Sequence, residues 1–445
     1  MPSLQLIFQI IAGLGPYFSV AILLAVFLGL FLPWGVMHPQ KWLYFYIFSI
    51  AFFAFGGTDP DGSGSLFKQG TWGILYILCF ISIYRPRKEK YLPVIHFPME
   101  LLILYGFIFI SIGWSDYKLS SFKRYILLIG LLLIAVLSTK ISISEKSFVK
   151  ILTRPLAIFM LGGAVIAAAL PTLAFDSDGA LRAYTSHKNT WGQFMLLCSI
   201  IFFNKFLSRD NRKLYLPLLV ISLAMLYMSK SATSLLAFIF SSLCVILLQS
   251  LSSKNMTGKL LVLALVLASA VSTLVYSILH GHLPFNDLIE LVFKATDKST
   301  TLTGRTFLWK LMGAEIERHP WFGTGFGGFW VGLEGAAGAL VKRLDWGPPT
   351  QAHSGYIDAV NEIGFIGMAI IMVVLMSHIY RCCILYKISP RDNFPLHISI
   401  VISTLIVNYA ESSLIQGTNI SWIILTCSII EVFNRVHAKK FNHIK

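Results

Sequence analysis

The sequence predicts an all-helical protein that crosses a membrane many times. Three observations carry this expectation. Hydrophobic residues make up 56% of the chain and charged residues only 13%, with a mean hydropathy of +0.72, whereas a soluble domain carries about 25% charged residues. The apolar residues fall in runs close to the ~20 residues a helix needs to cross hydrocarbon. The runs are apolar all round and do not alternate, and lipid requires every backbone polar group to be bonded within its own segment, which selects helices. A chain of 445 residues with half the usual charge cannot clothe a soluble globule. Disordered, fibrous and disulfide-stapled classes are excluded too, the last because there are only six Cys, all in or beside apolar runs and without metal-ligand spacing.

In chain order the expected passes lie near 17–36, 41–56, 70–84, 96–113, 124–139, 154–175, 189–207, 214–229, 231–250, 260–280, 354–380, 396–413 and 418–434. Because 1–36 can hold one tilted pass or two short ones, the expected total is 12 to 14 helices. The first basic side chain is Lys41, so the opening stretch lacks the positive start of a cleavable signal peptide. Three regions follow: an N-terminal helix bundle (1–280), a long outer loop carrying an amphipathic helix (281–353), and C-terminal helices with a cytoplasmic tail (354–445).

Placing the long loop outside puts most of the 36 Lys and Arg residues at the inner ends of the passes, as positive-inside topology requires. The net charge of +15 is then a topology signal. Its scatter over many short inner loops argues against a nucleic-acid face. Lys123, Arg124, Arg182, Lys188, Lys230 and Arg305 break the pattern by lying on the outer side. Several cations on the disfavoured face point to an anionic ligand there.

Four stretches on that side carry candidate chemistry. In 176–192, Arg182, His187, Lys188 and Asn189 fall where a new helix starts. A helix N-terminus offers free N–H groups and a positive dipole end. Arg adds a bidentate fork and Lys a point charge, together suited to phosphate; a polar loop with Asn189 capping the helix is the plainer reading. In 229–234 (Ser-Lys-Ser-Ala-Thr-Ser) Lys230 and the hydroxyls suit sugar or phosphate oxygens, or equally a tight helix turn. In the long loop Phe307, Leu308, Leu311, Met312 and Ile316 recur at helical spacing, with Thr303 as N-cap. This predicts an amphipathic helix on the membrane surface, ended by Pro320 and the glycines of GTGFGG. Arg305 falls in its first turn, where a structural cation is disfavoured by the dipole. In 350–367 His353 stands at the water–lipid boundary, where it could act as a general base, with Tyr356 on the same helical face. Asp358 and Glu362 lie in the first turns of an apolar helix, where acids are costly and are functional or paired. Glu411 reaches the same surface from another pass. There is no HExxH, GxSxG, Walker loop or Asp-x-Asp pair, so water-activated metal hydrolysis is not expected.

Taken together and in order, SHKNTWG (186–192), SKSATSLL (229–236), GRTFLW (304–309), HPWFGTGFG (319–327), QAHSGYIDAVNEIGFIG (351–367) and AESSL (410–414) resemble the O-antigen ligase and polymerase superfamily of bacterial envelopes. Within it the chain is most similar to exopolysaccharide polymerases of the succinoglycan type. The resemblance implies a metal-independent, inverting membrane glycosyltransferase without cofactor, of the all-helical lipid-donor architecture. Its donor would be an undecaprenyl-pyrophosphate-linked oligosaccharide, and its acceptor the non-reducing end of another lipid-linked repeat unit. It implies a multi-pass protein of the bacterial inner membrane with a periplasmic site, surrounded by membrane lipid, with a flippase and a chain-length regulator of the same pathway as partners. Carried over by motif, Arg182 and Arg305 would hold the pyrophosphate and His353 would deprotonate the acceptor. His187, Lys188, Asn189, Lys230, Tyr356 and Glu411 would line the substrate. Many ligases of the family carry Asn where Ser354 follows His353, and many members carry Arg or Lys where this chain has Ala232. Both departures move the expectation from a ligase, which hands a finished glycan to lipid A core or a protein, toward a polymerase. A transporter is the reading from another class. Against it, no inverted repeat or matching pair of broken helices is visible.

Overall fold

A computed structural model describes residues 66–84, 94–145, 147–208, 211–252, 305–332, 335–341, 349–388 and 394–442. Within them the chain is helical throughout; the β structure among the described residues is one antiparallel bridge, Phe175 to Leu181. The helices are α1 (Leu66–Tyr84), α2 (Met99–Ser111), α3 (Lys118–Glu145), α4 (Phe148–Ala169), α5 (Lys188–Leu207), α6 (Arg212–Met228), α7 (Ala232–Ser252), α8 (Arg305–Ile316), α9 (Gly335–Val341), α10 (Gly355–Ile388), α11 (Phe394–Ala410) and α12 (Ile420–Asn442).

Five stretches are long and apolar enough to cross a membrane: Lys118–Ile143, Phe148–Ala169, Lys188–Leu207, Gly355–Lys387 and Ile420–Ala438. Trp72–Ile81, Met99–Trp114, Ala232–Leu248 and Pro395–Ala410 are shorter apolar helices. This is the polytopic all-α architecture expected. The passes expected near 17–36, 41–56 and 260–280, and the Thr303 cap, lie outside the described residues.

α12 runs through the middle of the bundle against α3, α10 and α11. Some of its polar side chains bond to other elements. Ser142 donates to Glu431 at 2.7 Å, and Asn434 brackets His96 by accepting from its N–H and donating to its carbonyl, both at 2.9 Å. Where α4 meets α5 the core is aromatic: Phe159 stacks on Phe194 at 4.2 Å and on Trp191 at 5.4 Å.

α10 has 34 residues, about 50 Å at 1.5 Å per residue, well beyond a ~30 Å hydrocarbon core. It is broken at Gly364 (φ 67°, ψ −177°), a conformation open only to glycine. The break leaves helical N–H and C=O groups without their own partners, and the loop 320–325 takes them. Phe365 N–H donates to Pro320 O (2.8 Å) and Ile366 N–H to Trp321 O (3.2 Å). Thr324 and Gly325 N–H donate to Asn361 O (2.8 Å) and Glu362 O (2.9 Å). The loop approaches so closely that a Cβ at Gly323, itself at φ 68°, would strike the backbone of Glu362 and Gly364. HPWFGTGFG is therefore a backbone plug in a broken helix, and the irregular backbone is tolerated because protein satisfies its polar groups.

Candidate active site

Five segments meet at one end of the bundle: 176–188, 229–231, α8 with its following loop, 349–354 and 411–419. Each is held there by its own residues. The 176–188 loop folds back on α6, with Leu181 N–H donating to Met228 O at 2.8 Å. α5 is capped by His187, whose Nδ1 accepts from Asn189 N–H at 3.2 Å. The cap is thus His187, not Asn189, and the Asn189 side chain is left for other work.

α8 is anchored along one face. Leu308 and Met312 are buried against Phe329, Trp330, Ala337, Leu340 and Ala352. Trp309 Nε1 donates to Ala352 O at 2.8 Å and its ring meets Tyr409 edge-on at 6.0 Å. One turn earlier, Arg305 reaches α11: one nitrogen bonds the Ala410 carbonyl and the other lies 3.2 Å from Glu411 Oε1. The expected helix is present, but its buried side faces the loop's own small core, and Phe307 from the expected apolar stripe is half exposed. Packing of Leu308 and Met312 on that core sets its orientation against the loop.

Glu411 is a shared acceptor. Asn189 Nδ2 donates to the same Oε1 that pairs with Arg305. Its backbone is fixed from both sides: its N–H donates to Val407 O at 2.9 Å and its carbonyl accepts from Gly355 N–H at 3.2 Å. Asn408 shapes the turn beyond it by accepting from Ser413 and Leu414 N–H, both at 2.9 Å. Sequence reading assigned Asn408 no role. An Asn at the end of an apolar helix, just before a turn rich in serine, was the available signal.

His353 sits between α9 and α10 with φ +52°, left-handed backbone that costs a non-glycine residue about 1 kcal/mol. Strain of this kind persists where the surroundings over-determine the residue. The ring nitrogen Nδ1 lies 3.4 Å from Gln351 Nε2. Burial, then the Arg305 guanidinium, then the His187 ring hold the imidazole down to about 4. It is neutral at physiological pH, so the local positive charge comes from arginine.

Behind this cluster lies a supporting network. Asp358 accepts from Trp330 Nε1 at 2.7 Å, from Ala352 N–H at 3.0 Å, and from the Ser412 hydroxyl. It ties together the loop core, the strained His353 segment and the Glu411 turn. Glu362 pairs with Arg124 at 3.5 Å, and Arg124 also donates to Trp330 O at 2.8 Å. Both acids are therefore paired, as acids in an apolar helix must be.

The expected residues divide. Arg305, His353, His187, Asn189 and Glu411 come together. Arg182 lies in the adjoining loop with its Nε buried and without a hydrogen-bond partner. Lys188 bonds Asp178 at 2.9 Å and lies 3.5 Å from Asp176, and Lys230 donates to Asp178 O at 2.9 Å. The acids of that loop draw both lysines away from Arg305, and Lys188 in turn holds the exposed Asp178 carboxyl below its usual range. Tyr356 turns its hydroxyl to Leu405 O at 2.6 Å, locking α10 to α11. Of the six cations expected on one face, Arg124, Lys188 and Lys230 serve local ion pairs and carbonyls. Composition cannot foresee this, because the acids that claim them lie far off in sequence or in the loop's own fold.

Residues 217–372 match the O-antigen ligase family. The match begins in α6 and ends in α10, taking in Lys230, Arg305, His353 and Tyr356. Over that stretch the chain is similar to the O-antigen ligase family. Ninety-two residues, 20% of the chain, are 34% identical to the exopolysaccharide production protein ExoQ of Rhizobium meliloti (strain 1021). That stretch spans about a fifth of the relative's own length (21%). Arg182, His187, Asn189 and Glu411 lie outside the residues matched to the family and are joined to the site by the fold.

Proposed function

We propose that the protein is a polysaccharide polymerase of the bacterial inner membrane. It transfers an undecaprenyl-pyrophosphate-linked glycan to the non-reducing end of another lipid-linked repeat unit, on the periplasmic face, with inversion and without a metal. The observation that carries the reading is the Arg305 fork. It is a permanently charged group in a partly buried site, already gripping two oxygens, one of them anionic. A departing pyrophosphate presents the same pattern, and preorganised Arg contributes most where negative charge develops. Arg182, in the adjoining loop with its Nε unmatched, offers a second donor.

In the reaction the acceptor hydroxyl attacks the anomeric carbon and the bond to pyrophosphate breaks. The electron pair stays on the lipid pyrophosphate, facing Arg305 and Arg182. The hydroxyl's proton passes to a side chain at the same end of the bundle, where His353 and Glu411 stand. Membrane lipid holds the donor tail, and a flippase and chain-length regulator of the same pathway supply and limit the repeats. Similarity to a protein named for exopolysaccharide production supports polymerisation, as do Ser354 and the buried Ala232.

The second reading is a ligase acting on lipid A core or a protein, favoured by the family's own description. The two differ only in acceptor. Purified protein given one undecaprenyl-pyrophosphate-linked repeat, with products resolved by mass, separates them. A polymerase yields a ladder of whole repeats with free undecaprenyl pyrophosphate. Transfer that appears only when a separate acceptor is added identifies a ligase, and no transfer with either contradicts both.

A further inference from the structure

We infer that Asp358 is a positioning residue for His353: its carboxylate fixes the left-handed turn that presents the imidazole to the site. The inference rests on the glycosyl-transfer reading above, with His353 as the group that takes the acceptor's proton, and it assigns a role to a residue that stands behind the reacting atoms.

His353 has to be held. Its φ of +52° is backbone that a non-glycine residue keeps only where its surroundings over-determine it. The chain is tied on both sides of it. Before it, Ala352 is gripped by both of its backbone groups. Its N–H donates to the two carboxylate oxygens of Asp358, at 3.0 and 3.1 Å, and its carbonyl accepts from Trp309 Nε1 at 2.8 Å. After it, the Ser354 hydroxyl donates to Asn408 O at 3.4 Å and Gly355 N–H donates to Glu411 O at 3.2 Å. In this set Asp358 alone acts through an acidic group, and hydrogen bonds to a charged acceptor are about twice as strong as neutral ones.

The setting of the acid sharpens its role. Asp358 lies in the first turn of α10, where the helix dipole favours an anion, and it is 6% exposed. Glu362, one turn on, is matched by the Arg124 cation at 3.5 Å. Asp358 is matched by three neutral donors: Trp330 Nε1 at 2.7 Å, Ala352 N–H and the Ser412 hydroxyl. A buried acceptor removed from three such donors leaves them unsatisfied, and the donor nearest the strain is Ala352 N–H. Without the carboxylate the left-handed turn loses its strongest tie and the imidazole leaves its place.

Arg305 is reached by a different route. It is anchored on Ala410 O and Glu411, and its helix is seated by Leu308 and Met312. Loss of Asp358 should therefore disturb the proton-accepting side of the site and spare the pyrophosphate side.

The test uses the full chain in lipid nanodiscs, with lipid-linked repeat isolated from the host strain lacking this protein, and undecaprenyl pyrophosphate as the binding probe. Asp358→Ala should lower kcat about 10²-fold, the scale of a ~1 Å misplacement at a reacting centre, with the KM for the repeat and probe binding within threefold of wild type. Asp358→Asn keeps one acceptor oxygen for Trp330 and Ala352 and can turn its amide to the Ser412 hydroxyl, so it should recover most of the loss, to within tenfold of wild type. Trp330→Phe takes only the loop core's bond from the carboxylate and should stay within threefold. If Asp358→Ala does not insert, Trp309→Phe, which frees the Ala352 carbonyl, should lower kcat threefold or more with unchanged probe binding. A kcat within threefold of wild type in Asp358→Ala (or in Trp309→Phe where it stands in), probe binding that weakens in step with kcat, or a loss in Trp330→Phe equal to that in Asp358→Ala overturns the assignment. A wild-type rate from His353→Gln, or wild-type protein that neither binds the probe nor transfers, overturns the underlying reading instead.

Discussion

At the loop end of the bundle His353 stands among Arg305, Asn189 and Glu411; within α10, α11 and α12 a second buried group contains His378, His397, Ser428 and Cys382. In the second group the Ser428 hydroxyl lies 3.1 Å from His378 Nε2 and 2.8 Å from His397 Nδ1, and Cys382 Sγ lies 3.8 Å from His378 Nε2. Every member is a regular helical residue; Ser428 links α12 to His378 of α10 and His397 of α11, and Cys382 packs on His378 within α10. Polar glue of this kind is what helices in an apolar solvent use to associate. The first group is built otherwise. Its residues lie at helix ends and in turns, its histidine is in left-handed backbone, and its anion is shared by two donors. Next to it, Asn189 Oδ1 and Arg182 Nε are buried without partners. A buried histidine therefore says little by its type. Its backbone conformation, and whether it lies within a helix or at a helix end, tell glue from site.

The sharpest way to break the comparison is charge removal. Arg305→Ala is expected to lower transfer about 10³-fold, as the loss of a preorganised donor does, with normal membrane insertion; quantitative immunoblotting of membranes beside polymer yield checks both. Polymer at wild-type levels from inserted protein would remove Arg305 from the site.

Next comes the plug. Gly364→Ala puts a side chain at a φ and ψ open only to glycine and against the Trp321 carbonyl. It should destabilise by about 1–3 kcal/mol and release the loop that positions α8, lowering both the thermal midpoint and transfer. An unchanged midpoint in a thermal-shift assay would mean the plug is not holding the helix.

A smaller effect is set by pH. The His353 pKa is depressed to about 4 from an ordinary 6.5. Below 6.5 the unfolded chain binds this proton and the folded one does not, so its contribution to stability declines as pH falls from 6.5 toward 4 and is unchanged above 6.5. His353→Gln should remove that part of the decline, seen by comparing wild-type and variant midpoints at pH 5 and pH 8. Parallel shifts in both proteins would count against the neutral, buried ring.

The smallest effect belongs to the glue. Ser428→Ala should cost about 1 kcal/mol and leave transfer per folded molecule within twofold, measured by normalising the rate to folded protein.

Much of this was legible in the sequence. Apolar runs near 124–139, 154–175 and 189–207 became α3, α4 and α5 because length and hydropathy are local properties. The α8 helix showed through the spacing of Leu308 and Met312. The motif set pointed to Arg305 and His353 before any contact was known. What stayed hidden depends on long-range pairing. Nothing local to Arg305 announces Glu411, 106 residues away. Nothing in GTGFGG says that it will plug a break at Gly364, since the bonded atoms are backbone and leave no mark in residue type. Lys188 and Lys230 looked like phosphate ligands because their competitor, the Asp176–Asp178 turn, becomes one only when the loop folds back on α6.

The most direct test of the division between site and glue is single-turnover release of undecaprenyl pyrophosphate by wild type, Arg305→Ala and Ser428→Ala, each in nanodiscs and normalised to folded protein. The expected result is release by wild type and Ser428→Ala at rates within twofold of each other and a loss of at least 10²-fold in Arg305→Ala. Equal losses in the two variants, or undiminished release by Arg305→Ala, would contradict a reaction centre at the loop end.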